Sequence, residues 1–270
     1  MDRITDPADP RLADFTGLRD GDRRFMRPPP SGGRRTPVFA VEGRLVAERA
    51  LASGHVPVAF LADERRAADV PPGLPDGVPV LVAAESLVRE VTGLGVVREV
   101  LGLFERPPAR DLGDVLDGAL RVVVLEGIAN PVNLGVLVRT AAALGMDATL
   151  LDPASTDPLY RRAVRGSMGA VLTHPTARLE ALPEGLAPLR DRGFRILALT
   201  PARDAVPLDE VVPAPGERVA LLLGSEGPGL SAAAMAAADA RVVIPMAGGV
   251  DSLNVAAAAA VACHRLGRIS

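Results

Sequence analysis

Three stretches of this sequence place polar, charged and glycine residues directly after short apolar runs, where an open α/β sheet presents its loops to ligands. They are IANPVNLGVLVRTAAALG at 128–145, GSEGPGLS at 224–231 and IPMAGGVDSLNVAAAAAVACHRL at 244–266. The first offers Asn133 and Arg139, the second Glu226, the third Ser252 and Asn254. An arginine fork suits bidentate contact with phosphate, and clustered glycines let backbone amides come close to a ligand. Metal chemistry is disfavoured: Cys263 is the single cysteine, and the three histidines, His55, His174 and His264, are scattered without ligand spacing.

Each of these residues also has a plainer reading on spacing alone. Leu134, Leu137, Val138, Ala141 and Ala142 form one helical stripe that leaves Arg139 outside it as a solvated side chain. Asn133 stands where a helix N-cap would, Ser231 can cap an alanine-rich helix, and Ser252 and Asn254 can cap a further helix starting at about Ser252. That last helix is almost wholly apolar, so it needs a close-packed neighbour, and another subunit is one candidate. The second loop reads Gly-x-x-Gly-x-Gly rather than the dinucleotide fingerprint Gly-x-Gly-x-x-Gly, and no Gly-Lys-Ser/Thr phosphate loop occurs.

The elements that must hold these loops alternate. RVVVLEG (121–127), ATLLD (148–152), AVLT (170–173), FRILALT (194–200), RVALLLG (218–224) and RVVIPM (241–246) read as strands, with helical segments between most of them. Such alternation predicts an α/β fold with a mostly parallel sheet covered on both faces. Upstream, 37–106 reads as a small α/β domain: VFAVEGRLVAERALASG turns from extended to helical, PVAFLA and VPVLVA are strands, and ESLVREVTG is a helix. Residues 107–117 read as a linker before a domain over 118–270, and 1–36 as an irregular arm.

Between Arg19 and Arg35 that arm carries six arginines against Asp20 and Asp22, either a solvated tail or an RNA contact. All 30 basic side chains of the 270 residues are arginine, and the net charge is −3. An acidic balance argues against a sequence-independent nucleic-acid coat, while leaving room for a local basic face. The N-terminus is polar and no apolar run approaches a bilayer span, so the expectation is a cytoplasmic protein with no membrane segment.

Taken together and in this order, the three loops resemble the three signature motifs of the SpoU-type (TrmH-like) branch of the SPOUT RNA methyltransferases. The resemblance is densest over 121–266, including DPLYRRAVRGSMGA at 157–170, and 37–106 is similar to the small substrate-binding domain of the ribosomal-RNA members. It implies a deep trefoil knot in the C-terminal domain, which the rule against threaded connections would never propose. It implies S-adenosyl-L-methionine as cofactor, held by Leu223, Gly224, Ile244, Met246 and Leu253, with no metal. Arg139 is implied as the catalytic group, with Asn133, Glu226, Ser252 and Asn254 around it. It also implies a homodimer methylating a ribose 2′-hydroxyl of RNA, ribosomal RNA favoured over transfer RNA by the extra domain. Two rivals stand beside this reading. One is a nucleotide-dependent oxidoreductase on a doubly wound sheet, against which the missing fingerprint counts. The other is an RNA-binding module without catalysis, against which the intact Arg139, Ser252 and Asn254 count.

Overall fold

The computed structural model describes residues 1–18, 37–96, 99–202, 204–247 and 252–268. The chain divides into two units, residues 1–108 with 159–172, and residues 109–158 with 173–270.

In the first unit, β1 (Asp2–Ile4), β2 (Val38–Glu42), β3 (Pro57–Asp63), β4 (Val80–Ala83) and β5 (Leu101–Glu105) form a sheet in the order β1-β4-β3-β5-β2. β4 runs parallel to β1 and β3, while β5 is antiparallel to β3 and β2. Helices α1 (Arg44–Ala52) and α2 (Glu85–Thr92) follow β2 and β4. Gly102 lies opposite Phe60, and a Cβ there would come within 2.7 Å of the Phe60 ring, so this position must stay bare for the aromatic core to close.

The expected irregular arm is corrected over residues 1–18. Asp2–Ile4 pairs with β4, and a 3-10 turn at Pro10–Phe15 leads into Leu18. Leu12, Phe15 and Leu18 are buried; Leu12 and Phe15, three residues apart, share one face of the 3-10 turn, and Leu18 follows it. A search for 3.6-residue periodicity passes over such a stretch. The arginine-dense part of the arm lies outside the described residues.

The second unit begins in the expected linker. Asp111 caps α3 (Leu112–Leu116), accepting from Gly113 N and Asp114 N, and Val115 and Leu116 join the core of this unit. Then come β6 (Arg121–Glu126), α4 (Pro131–Ala143) and β7 (Ala148–Leu151). The chain next contributes α5 (Arg161–Gly166) to the first unit, where Arg161 and Arg165 both pair with the buried Glu42 carboxylate. The expected strand at 170–173 is instead a 3-10 turn, Ala170–Leu172, and the strand β8 is Thr176–Arg178. A short apolar run carries no period that separates the two.

After β8 come α6 (Ala187–Asp191), β9 (Phe194–Leu199), β10 (Val206–Pro207), β11 (Arg218–Gly224), α7 (Ala232–Ala236), β12 (Ala240–Val243) and α8 (Val255–Leu266). The seven strands are all parallel, in the order β10-β12-β9-β11-β6-β7-β8. β6, β7 and β8 step outward in one direction, then the chain returns to place β9 beyond β11. The strand order therefore reverses at β6 and β11, which is where open parallel sheets bind ligands. Helix α8 packs on α4, and Arg121 holds its end by donating from Nε to Leu266 O at 2.7 Å. Among the described residues, no helix is long and apolar enough to cross a membrane.

Candidate active site

The loop after β11 doubles back on itself. Gly229 N donates to Ser225 O at 3.1 Å, and Gly227 and Gly229 take positive φ values of 94° and 71°. A Cβ on Gly224 would lie 2.1 Å from Gly229 C and 2.2 Å from Leu230 N, so the fold-back requires glycine there. The loop ends at Ser231, which caps α7 by accepting from Ala234 N at 3.1 Å. Ser231 N in turn donates to the Glu126 carboxylate at 2.8 Å, tying this loop to the end of β6.

The loop after β12 starts early. Pro245 has no N–H for a ladder, so the expected strand 241–246 stops at Val243, and Ile244 and Met246 leave the sheet. Likewise α8 starts at Val255 rather than about Ser252, because Asn254 takes the N-cap, its Oδ1 accepting from Ala256 N at 3.0 Å and Ala257 N at 3.4 Å. The other end of the same amide donates from Nδ2 to Glu226.

These loops enclose a cavity of about 310 Å³ beyond the carboxyl ends of the neighbouring strands β9, β11 and β12. Leu199, Leu223, Ile244, Met246 and Leu253 give it apolar surface, Gly224 lies at the end of β11, and Thr200, Ser225, Glu226 and Ser252 supply polar groups. Seven of the ten residues expected at the site thus line one cavity, and Asn254 joins them through Glu226. Leu199, Thr200 and Pro201 lie outside the expected set. Their signal is present in the sequence, since FRILALT is an apolar run ending in Thr-Pro, the same strand-to-loop transition that marks the other two.

Asn133 and Arg139 do not line the cavity. The cap of α4 is Asn130, not Asn133: its side chain accepts from Val132 N at 2.9 Å, and Pro131 fills the first helical position, where a missing N–H costs nothing. Asn133 is half-buried within the first turn. Ala142, placed on the buried stripe by spacing, is exposed, and Gly135 is buried instead. Arg139 is exposed on α4 and makes no hydrogen bond or ion pair with any described residue.

Comparison with known proteins decides the family. The model of the SpoU rRNA Methylase family matches residues 120–264. The chain belongs to that family. An uncharacterized tRNA/rRNA methyltransferase of Mycobacterium bovis is 44% identical over 97% of this chain and 90% of its own length. The 23S rRNA (guanosine(2553)-2′-O)-methyltransferase RlmP of Bacillus subtilis is 29% identical over 86% of this chain and 89% of its own. The crystal structure of an AdoMet-bound rRNA methyltransferase from Sinorhizobium meliloti superposes with a TM-score of 0.78, at 27% identity, covering 98% of this chain and 96% of that one. The chain is therefore a methyltransferase of the SpoU type, with the α/β, parallel-sheet fold of that family. Among the described residues no group of three or more histidine, cysteine, aspartate or glutamate side chains is placed to hold a metal. Cys263 is buried, and desolvation pushes its thiol up to about 12, so it stays protonated and unreactive near neutral pH.

Proposed function

We propose that this SpoU-family chain is a cytoplasmic, S-adenosyl-L-methionine-dependent RNA (ribose-2′-O)-methyltransferase that acts on ribosomal RNA as a homodimer. The observation that carries the reading is the cavity at the ends of β9, β11 and β12, walled by the second and third of the loops that resemble the family motifs together with the loop after β9. The names of the Bacillus subtilis and Sinorhizobium meliloti proteins favour ribosomal RNA, and the former favours the ribose 2′-oxygen.

The residues present fit the cofactor. A volume of about 310 Å³, largely apolar walls and a few convergent polar groups are the makings of a small-molecule site. Leu223, Gly224, Ile244, Met246 and Leu253 would hold it through backbone groups and apolar surface, and Glu226 contributes negative charge towards a cationic ligand. When bound, the cofactor supplies a methyl group on sulfonium sulfur, already activated for displacement by an oxygen nucleophile.

What remains for the protein is alignment and charge. A guanidinium stays protonated in proteins, and a phosphate beside it favours the charged form further. Arg139 therefore serves better as an anchor for the phosphate next to the target ribose than as a base. From there it stabilises negative charge developing on the 2′-oxygen while the proton leaves to water or phosphate. Ser252 and Asn133 are polar groups available to orient the ribose. The dimer is supported by α8, where Ala257, Val261 and His264 are exposed along one stripe, and by exposed Ala142 and Ala143 on α4. Because Arg139 has no partner among the described residues and lies off the cavity of its own chain, it serves the cavity of the second copy.

Calorimetric titration with S-adenosylmethionine, S-adenosylhomocysteine, NAD and NADP tests the cofactor, and mapping of 2′-O-methyl positions in ribosomal RNA from cells with and without the gene tests the reaction. Binding of the two methionine-derived ligands and loss of one methylated ribose are expected. Nicotinamide binding alone, or an unchanged methylation map, defeats the reading.

A further inference from the structure

We propose that Asp152, Ser155 and Arg178 form a clamp that positions the loop entering α4, and through it Arg139 on that helix. The inference rests on the methyltransferase reading above for its kinetic consequences, though the clamp itself is a matter of geometry.

Residues Asp152 to Thr156 follow β7 and grip the backbone that leaves β6. Asp152 Oδ1 accepts from Gly127 N at 3.0 Å, from Ser155 N at 2.8 Å and from Ser155 Oγ at 2.6 Å. Ser155 Oγ accepts from Ile128 N at 3.0 Å, and Thr156 N donates to Ile128 O at 2.9 Å. On its other side the turn is held by Arg178, which donates to Asp152 O at 2.8 Å, Ser155 O at 2.7 Å and Thr156 O at 3.0 Å. Asp152 and Ser155 are only 6% and 4% exposed, so water cannot replace these bonds.

Neither end of the gripped loop is neutral ground. Gly127 has φ +69°, and a Cβ built on it would be 3.7 Å from Ser225 Cβ and Oγ, on the cavity wall. Two residues past Ile128, Asn130 caps α4, the rigid element that carries Asn133 and Arg139. The clamp thus sets where α4 starts with respect to the cavity, without touching the cavity itself. Misplacing a catalytic group by about 1 Å can lower a rate by about 10²-fold.

A role in positioning predicts coupling to Arg139, which a purely structural role does not. Ser155→Ala should leave S-adenosylmethionine affinity within about twofold and lower single-turnover transfer by about tenfold or more, yet add less than about twofold in an Arg139→Ala background. All three bonds to Asp152 fall on Oδ1, so Asp152→Asn can keep them and should stay within about threefold of wild type, while Asp152→Ala should behave like Ser155→Ala. Hydrogen exchange provides a readout independent of chemistry: the Gly127 and Ile128 amides should lose protection in Asp152→Ala and Ser155→Ala respectively, with no ligand or RNA present. Penalties that multiply across the two backgrounds, or undisturbed exchange at those amides, overturn the clamp. Absence of transfer in the wild type while that exchange changes as described would instead overturn the methyltransferase reading and leave the clamp standing.

Discussion

Asn254 divides its amide between two tasks, capping α8 with its oxygen and donating from its nitrogen to Glu226 in the loop after β11. One side chain therefore joins the start of a helix to the loop after β11 that lines the cavity. Replacing it with alanine should cost about 1 kcal/mol of stability through the missing cap, and weaken S-adenosylmethionine binding by freeing Glu226. Asn254→Asp separates the effects. A carboxylate caps as well as an amide, so stability should hold, but two like charges then meet at Glu226 and cofactor affinity should still fall. Thermal melts and calorimetry on both variants measure this, and equal affinity in Asp and wild type would detach Glu226 from the cofactor site.

His174 gives the protein a pH-sensitive buried group. Burial and the nearby positive charge of Arg110 push its pKa down from 6.5 to about 4, and Thr149 Oγ1 is hydrogen-bonded to its Nε2 at 3.0 Å. Above pH 6.5 both folded and unfolded chains hold it neutral, and its contribution to stability is complete. As pH falls from 6.5 towards 4 the unfolded chain takes up a proton that the folded one refuses, so stability declines with a slope of up to one proton. The full loss is on the order of 3 kcal/mol. Denaturant titrations between pH 4 and 7.5 should show that slope, and His174→Asn should remove it whatever it does to stability at neutral pH.

The arginines between Arg19 and Arg35 are expected to contact RNA phosphates. Deleting residues 1–106 is a poor test, because α5 belongs to the first unit and its Arg161 and Arg165 would lose Glu42. Changing Arg19, Arg23, Arg24, Arg27, Arg34 and Arg35 to glutamine in the full chain keeps that packing. RNA affinity should fall, and the slope of log affinity against log salt should shrink by roughly 0.7 to 0.9 for each phosphate that is no longer neutralised. S-adenosylmethionine affinity should be unchanged. An unaltered salt slope returns the arm to a solvated tail.

How far the sequence reveals this site follows from which features are local. Gly224, Glu226, Ile244, Met246 and Leu253 follow apolar runs along the chain, so the end-of-strand rule locates their loops, and the motif pattern picks out the residues. Thr200 and Pro201 satisfy the same rule but carry no glycine cluster to draw notice. The neighbour relation of β9 and β12 is not local at all, since it depends on the order in which seven strands assemble. Asn133 and Asn130 show the limit of capping signals: two asparagines three residues apart are equally good caps by type, and Pro131 settles the matter because it fits only the first turn. That Leu159–Leu172 belongs to the first unit has no local mark, since Arg161 and Arg165 find their partner in Glu42, more than a hundred residues away. The order in the first 18 residues escapes the helical and strand periods alike, because the strand Asp2–Ile4 is too short to show alternation and Leu12 and Phe15 follow the three-residue period of a 3-10 turn.

Arg139 is exposed, without a partner among the described residues and off the cavity of its own chain, which makes its role the sharpest test of the proposal. Arg139→Ala should leave S-adenosylmethionine affinity nearly intact and lower turnover by about 10²-fold or more, the scale of removing one preorganised donor. Arg139→Lys keeps the charge without the planar fork, so a bidentate phosphate contact predicts little rescue at any pH, whereas a base would regain activity as pH rises. Mixed dimers decide where the arginine acts. If each cavity uses the partner copy's arginine, pairing Arg139→Ala chains with chains whose cavity is blocked by Gly224→Val leaves one site with an intact cavity and an intact arginine. Two inactive preparations should then regain activity on mixing and subunit exchange, in proportion to the mixed dimer formed. An arginine acting within its own chain gives the opposite result, because each chain in the mixture is defective by itself. Silence on mixing, with exchange verified by mass, would assign Arg139 to its own cavity, and near wild-type turnover in the alanine variant would remove it from the mechanism altogether.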